Sequence, residues 1–224
     1  MNSTLEYFIK CVKINNKKDR ACRYNNKFLN EIDGDYLIST NGTTGVILNY
    51  HITSDEIAEL NSVGCTRYET DEISYKKVYN ILESSGDKRR VKVKTCNLKK
   101  LYDISVETNN KECDPKLAKI DIGDIEEYFT ISMHSLEILL SMMGKTEEVT
   151  LVYTKGSHVL IELGNGVYLV VATFQPIGNF SFIRYYITDY DYLESFRMDS
   201  NKNIVIDKTI QIVSKTKKRK PLFS

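Results

Sequence analysis

The side chains able to ligate a metal or act as a nucleophile are few and scattered. Five cysteines, Cys11, Cys22, Cys65, Cys96 and Cys113, are odd in number, widely spaced and never in a Cys-x-x-Cys pair. That spacing argues against a disulfide framework and a structural zinc site, and for reduced, mostly structural thiols. The three histidines, His51, His134 and His158, make no metal-like spacing with one another or with a cysteine. Carboxylates pair at Asp121 with Asp124 and at Glu126 with Glu127, as general acid–base work requires, but their acidic stretch reads as a solvated loop or helix start. There is no Walker loop, dinucleotide fingerprint or Gly-x-Ser-x-Gly elbow. We therefore expect no catalytic residue, no metal and no cofactor. An enzyme with an unmarked site is the minor alternative.

Two other segments could do chemistry by binding. Lys215, Lys217, Lys218, Arg219 and Lys220 form a local positive patch on a chain of formal net charge +1. Such a patch either attracts phosphates in a salt-dependent way or keeps a tail soluble. Phe180, Phe182, Tyr185, Tyr186, Tyr190 and Tyr192 crowd one segment. They read as a stacking platform for single-stranded nucleic acid or, the reading we favour, as a strand with aromatic cross-strand pairs, since only Arg184 adds positive charge there.

The elements that must position these residues follow from periodicity. Leu136, Leu139, Leu140 and Met143 have i, i+3, i+4, i+7 spacing; Ser132 is a suitable N-cap, and Gly144 with Lys145 a suitable stop. A helix is predicted over 132–144. Glu148 to Thr154 and Ser157 to Leu163 read as a hairpin turning at Lys155-Gly156, and Val167 to Ala172 as a buried strand after Gly164-Asn165-Gly166. Near the start, Leu5, Phe8, Ile9 and Val12 predict a helix, with Ser3 and Glu6 as its capping box. Val91 to Lys94 reads as a strand, Cys96 to Ile104 as a short helix, and 203–213 as one or two strands. The chain of 224 residues, 42% of them hydrophobic, can bury a real core. It divides as 1–87, a helix-strand unit; 88–178, a helix with three strands; 179–214, a strand extension; and 215–224, the basic tail. No run of 18 apolar residues and no basic-then-apolar start is present, so neither a membrane span nor a signal peptide is expected, and the protein is expected to be soluble and cytoplasmic.

The helix-strand-strand-strand order of 131–176, ending in Tyr168-Leu-Val-Val-Ala172, together with Tyr36-Leu-Ile-Ser-Thr-Asn-Gly-Thr-Thr-Gly-Val-Ile-Leu48, resembles the DNA sliding clamps of the DNA polymerase III beta-subunit kind. Clamps finish the last strand in Met-Pro, here Val171-Ala172, and carry an Ala-Thr-Asp-Gly-His-Arg-Leu-like signature in a strand. The Thr-x-Gly core of that signature is kept at Thr40 and Gly42, while Thr43 and Thr44 stand in place of its basic pair. The resemblance implies an α+β fold of sliding-clamp-like helix plus antiparallel sheet repeats, and no covalent chemistry. It implies a ring whose inner helices offer cations to DNA, with Lys10, Lys13, Lys17 and Lys18 as candidates, although the second helix carries Glu137 and no Lys or Arg. It also implies a partner-peptide pocket lined by Thr40, Gly42, Thr43, Thr44, Leu169 and Val171, with Gly45 replacing the usual leucine.

A bacterial clamp subunit has three such domains. This length holds two at most, or one complete domain plus insertions, so a ring of two-domain subunits would take three copies. The expected partners are proteins (replication or host factors), with double-stranded DNA and further copies of the chain as additional candidates, and no membrane. The composition, rich in Asn, Lys and Ile, suits a phage or mobile-element version. The leading functional reading is a non-enzymatic clamp-like protein in replication or viral interference with host machinery. The alternative is a regulatory or structural nucleic-acid-binding protein that uses the basic tail and the aromatic strand.

Overall fold

The computed structural model describes residues 2–17, 26–30, 36–68, 78, 80–82, 89–109, 119–123, 128–153, 158–173, 182–186, 192–198 and 204–211. Lys18, Cys22, the boundary near 87, Cys113, residues 124–127, the Lys155-Gly156 turn, Phe180, Tyr190 and the basic tail lie outside them.

In chain order the elements are α1 (Ser3–Lys17), β1 (Lys27–Asn30), β2 (Tyr36–Thr40), β3 (Thr44–Asn49), α2 (Ser54–Ser62), β4 (Thr66–Arg67), β5 (Arg90–Lys94), α3 (Thr95–Asn109), β6 (Lys119–Gly123), β7 (Tyr128–Ser132), α4 (Met133–Met143), β8 (Glu148–Tyr153), β9 (His158–Gly164), β10 (Val167–Ala172), β11 (Phe182–Tyr186), β12 (Tyr192–Met198) and β13 (Ile204–Gln211). An eight-stranded sheet runs β4-β1-β2-β3-β10-β9-β8-β5, and a five-stranded sheet runs β13-β12-β11-β6-β7. Strand β7 passes directly into α4 through Ser132, whose side chain caps the helix by accepting from the Ser135 backbone N–H at 3.0 Å. At its other end Gly144 takes φ +56, a conformation that favours glycine.

The large sheet is built from two similar halves. A helix and three antiparallel strands, α1-β1-β2-β3, meet a second such set, α4-β8-β9-β10, at the antiparallel β3–β10 seam. Backbone bonds close the seam at both ends: Asn49 N–H donates to Gly166 O at 3.0 Å, and Ala172 N–H donates to Thr43 O at 3.3 Å. Strand alternation divides the apolar side chains between two faces. Val46, Leu48, Val159, Ile161, Val167, Leu169 and Val171 join Leu5, Phe8, Val12, Leu136 and Leu139 in the main core beneath the helices. Ile38, Ile47, Val152, Leu160 and Val170 form a second cluster on the other face, with Val78 packed on it. Helix α1 lies on β3 and against α4, which in turn packs on α3.

The predicted helix over 132–144 and the three strands after it are observed. Four local expectations are corrected. The cap of α1 is Asn2, whose Oδ1 accepts from the Leu5 N–H at 2.9 Å, rather than a Ser3/Glu6 box; asparagine is among the best residues at that position. The reciprocal box sits instead at α2, between Thr53 and Glu56. Asp121 belongs to β6, not to a loop, and Cys96 to Ile104 is part of a helix extending to Asn109. The aromatic segment supplies two strands, with β11 antiparallel to β12 and parallel to β6.

Candidate partner and nucleic-acid interface

Thr40, Gly42, Thr43 and Thr44 come together, though not along one strand. Asn41 and Gly42, φ +97, turn the chain between β2 and β3, so the signature segment is a hairpin tip. Its polar atoms bond to one another. Asn41 Oδ1 accepts from the backbone N–H of Thr43 at 2.9 Å and of Thr44 at 2.8 Å, and from the Thr43 hydroxyl at 3.0 Å. Thr40 Oγ1 donates to Thr44 O at 2.9 Å and accepts from Gly42 N–H at 3.0 Å. The last turn of α1 completes the knot: Asn15, fully buried, takes the Thr44 hydroxyl on its Oδ1, donates to Thr44 O at 3.4 Å, and receives Asn41 Nδ2 at 3.4 Å. Buried amides and hydroxyls satisfied this completely hold a unique geometry.

Across the seam, Val171 pairs with Thr44 and Leu169 with Val46. Both apolar side chains have no exposed surface and enter the core under the helices. Val170, between them, points to the opposite face, where Thr40 pairs with Gly45. There Val78 fills the space left by Gly45: a Cβ added to Gly45 would stand 3.0 and 3.1 Å from the two Val78 methyls. Val78 is the contact that the sequence reading missed, and the only sign of it was the glycine where a clamp carries leucine.

Lys10, Lys13 and Lys17 are exposed and, with Glu6, follow i, i+4, i+7, i+11 spacing, one line along α1. Ile9 and Ile14 floor the shallow hollow of about 420 Å³ between them. From Lys10 to Lys17 the axial span is about 10 Å. The Lys10 ammonium lies 3.6 Å from where a Cβ on Gly144 would stand, so its charge sits at the C-terminus of α4, the negative end of that helix. Helix α4 contributes no cation. Its Glu137 carboxylate lies 4.0 Å from His134 Nδ1.

The two buried thiols, Cys11 and Cys65, are not set up for chemistry. Burial pushes Cys11 up to about 12, against the partial relief of a hydrogen bond with Tyr7, and pushes Cys65 up to about 11, so each is a protonated thiol at neutral pH. Burial likewise raises the Tyr7 and Tyr102 phenols. Cys96 is exposed. Among the described residues no group of three or more His, Cys, Asp or Glu could hold a metal ion, and no helix is long and apolar enough to cross a membrane.

No protein-family model and no curated protein matches the sequence. Solved structures do match. The DNA polymerase III subunit beta of Pseudomonas aeruginosa superposes with a TM-score of 0.51 at 13% identity, covering 78% of this chain and 66% of that one. The DnaN sliding clamp of Bartonella birtlesii, bound to griselimycin, gives 0.52 at 13% identity, covering 78% and 64%. The subunit beta of Borrelia burgdorferi, in complex with a natural product, gives 0.51 at 10% identity, covering 79% and 62%. The chain thus spans less than two thirds of each of these subunits. At such identities the likeness establishes architecture: this chain carries a divergent α+β fold of the sliding-clamp kind.

Proposed function

We propose that the protein is a non-enzymatic clamp-like scaffold that acts in DNA replication through protein partners, and that α1 faces DNA. The observation that carries the reading is the exposed line of Lys10, Lys13 and Lys17 on the helix layer of a clamp-type sheet. Three cations spread over about 10 Å meet roughly three phosphates of one DNA strand, spaced about 3.4 Å apart along the axis. Contacts of that kind are weak and independent of sequence, which suits a scaffold that holds DNA without reading it. Encirclement would require several copies to close a ring through strand edges.

The test is topological. The protein is mixed with nicked circular and linear plasmids of equal length, then washed at raised salt, and its mass is followed by light scattering over a concentration series. Retention on circles but not on linear DNA, by an oligomer, is expected. Equal loss from both by a strict monomer overturns the ring. Lys10→Gln/Lys13→Gln/Lys17→Gln should flatten the dependence of log affinity on log salt by up to about 2.7, near 0.9 for each phosphate that is no longer neutralised.

A further inference from the structure

Residues 88–100, Lys-Arg-Arg-Val-Lys-Val-Lys-Thr-Cys-Asn-Leu-Lys-Lys, contain seven Lys or Arg and no Asp or Glu, in a chain of formal net charge +1. Arg89, Arg90, Lys92, Lys94, Lys99 and Lys100 are all exposed. Strand β5 is the outermost strand of the large sheet, paired with β8 alone among the described residues. Its alternation sends Val93, 2% exposed, into the core and places Arg90, Lys92 and Lys94 on the opposite face, away from α1. At about 3.3 Å per residue these three span about 13 Å, a length that faces about four phosphates of one strand of a duplex. Helix α3 begins at the very next residue, has no acidic side chain in its first turn, and adds Lys99 and Lys100. Among the described residues the neighbouring carboxylates are Glu162, which pairs with Arg90, Glu148, opposite Lys94 in register, and Glu147 and Asp103 at the flanks. Among the described residues, Lys92, Lys94, Lys99 and Lys100 are exposed along this edge.

We propose that this β5–α3 edge is a nucleic-acid contact of its own, holding the phosphate backbone along the rim of the large sheet, where β5 and the first turns of α3 meet. The competing role for lysines on an outermost strand is to discourage strand pairing between molecules. The two roles separate in the full chain by fluorescence anisotropy with labelled 30-base-pair and 30-nucleotide probes between 50 and 200 mM salt. Lys92→Gln/Lys94→Gln/Lys99→Gln/Lys100→Gln should weaken binding at least about tenfold at 100 mM salt and flatten the duplex salt slope by up to about 3.6. The corresponding Lys→Arg set should bind like the native chain. Lys92→Gln/Lys94→Gln alone, the smaller change should the larger set fold poorly, should flatten the slope by about 1.8. Unchanged affinity and slope in the Gln variants, with or without new self-association by light scattering, overturns the proposal, as does equal loss in the Arg set. Loss confined to the α1 lysine variant overturns it too, while leaving the α1 reading standing.

Discussion

Replacing Asn41 by alanine is the sharpest test of the knot that ties α1 to the β2–β3 hairpin. The substitution removes the acceptor of two backbone N–H groups and one hydroxyl, and the donor to Asn15. Thr43 is exposed, so its N–H and hydroxyl turn to water at little cost. Thr44 is 3% exposed, and its N–H is left buried without a partner, which costs about 1–3 kcal/mol. Loss of the amide bond to Asn15 adds about 0.5–1.5 kcal/mol, for a total near 3 kcal/mol. With a urea m-value of about 2 kcal/mol/M, the unfolding midpoint should fall by about 1.5 M at unchanged m. Asn41→Asp keeps the acceptor and should lose less than Asn41→Ala, whereas Thr43→Ala should stay within about 0.5 kcal/mol. Urea titration by circular dichroism measures all three. A loss below about 0.5 kcal/mol for Asn41→Ala would refute the claim that this knot fixes the helix to the hairpin.

Further tests follow from the other contacts. Gly45→Val should destabilise by about 1–3 kcal/mol through the clash with Val78, and Val78→Ala should recover much of that loss, a coupling that a double-mutant cycle reads directly. In a Cys22→Ser/Cys113→Ser background, Cys96 should react with a thiol reagent at pH 8 within the mixing time, while Cys11 and Cys65 should wait for opening of the fold; three equally fast thiols would contradict their burial. The hydrogen bond from Tyr50, ahead of the Thr53 backbone bond, holds Glu56 below the ordinary carboxylate range. A depressed folded-state value contributes stability that is present above the unfolded carboxylate's pKa and is lost as pH falls through the folded one. The melting-temperature gap between native protein and Glu56→Gln should therefore exist at pH 7 and close below pH about 4. A gap that widens on acidification would count against the assignment.

Where a single physical rule decided an element, the sequence was legible. The 3.6-residue stripe of α4, its Ser132 cap and its Gly144 stop appear as expected, as do β8, β9 and β10. The misses have physical causes. Asn41-Gly42 is a strong hairpin signal, but within the clamp-like signature it reads as part of a strand. Val167 to Ala172 is apolar throughout because both sheet faces are covered, so no alternation shows that Val170 faces away from Leu169 and Val171. Thr53 and Glu56 spelled a capping box for α2 that was there to be read. The basic run at 88–100 was likewise visible as composition, but its exposure along one sheet edge required pairing information that no local pattern carries.

The β3–β10 seam also bears on how the chain is made. Its partners, Thr44 to Leu48 and Val167 to Val171, lie some 120 residues apart. At roughly 5–20 residues per second of synthesis, β3 emerges about 6–24 s before the strand that will cover it. During that interval the first half presents Val46, Ile47 and Leu48 along an unpaired edge, the kind of surface that seeds misassociation and attracts chaperones. Slowing translation between residues 50 and 165 should therefore lower the yield of native protein, and supplying the 131–176 half in trans should restore it.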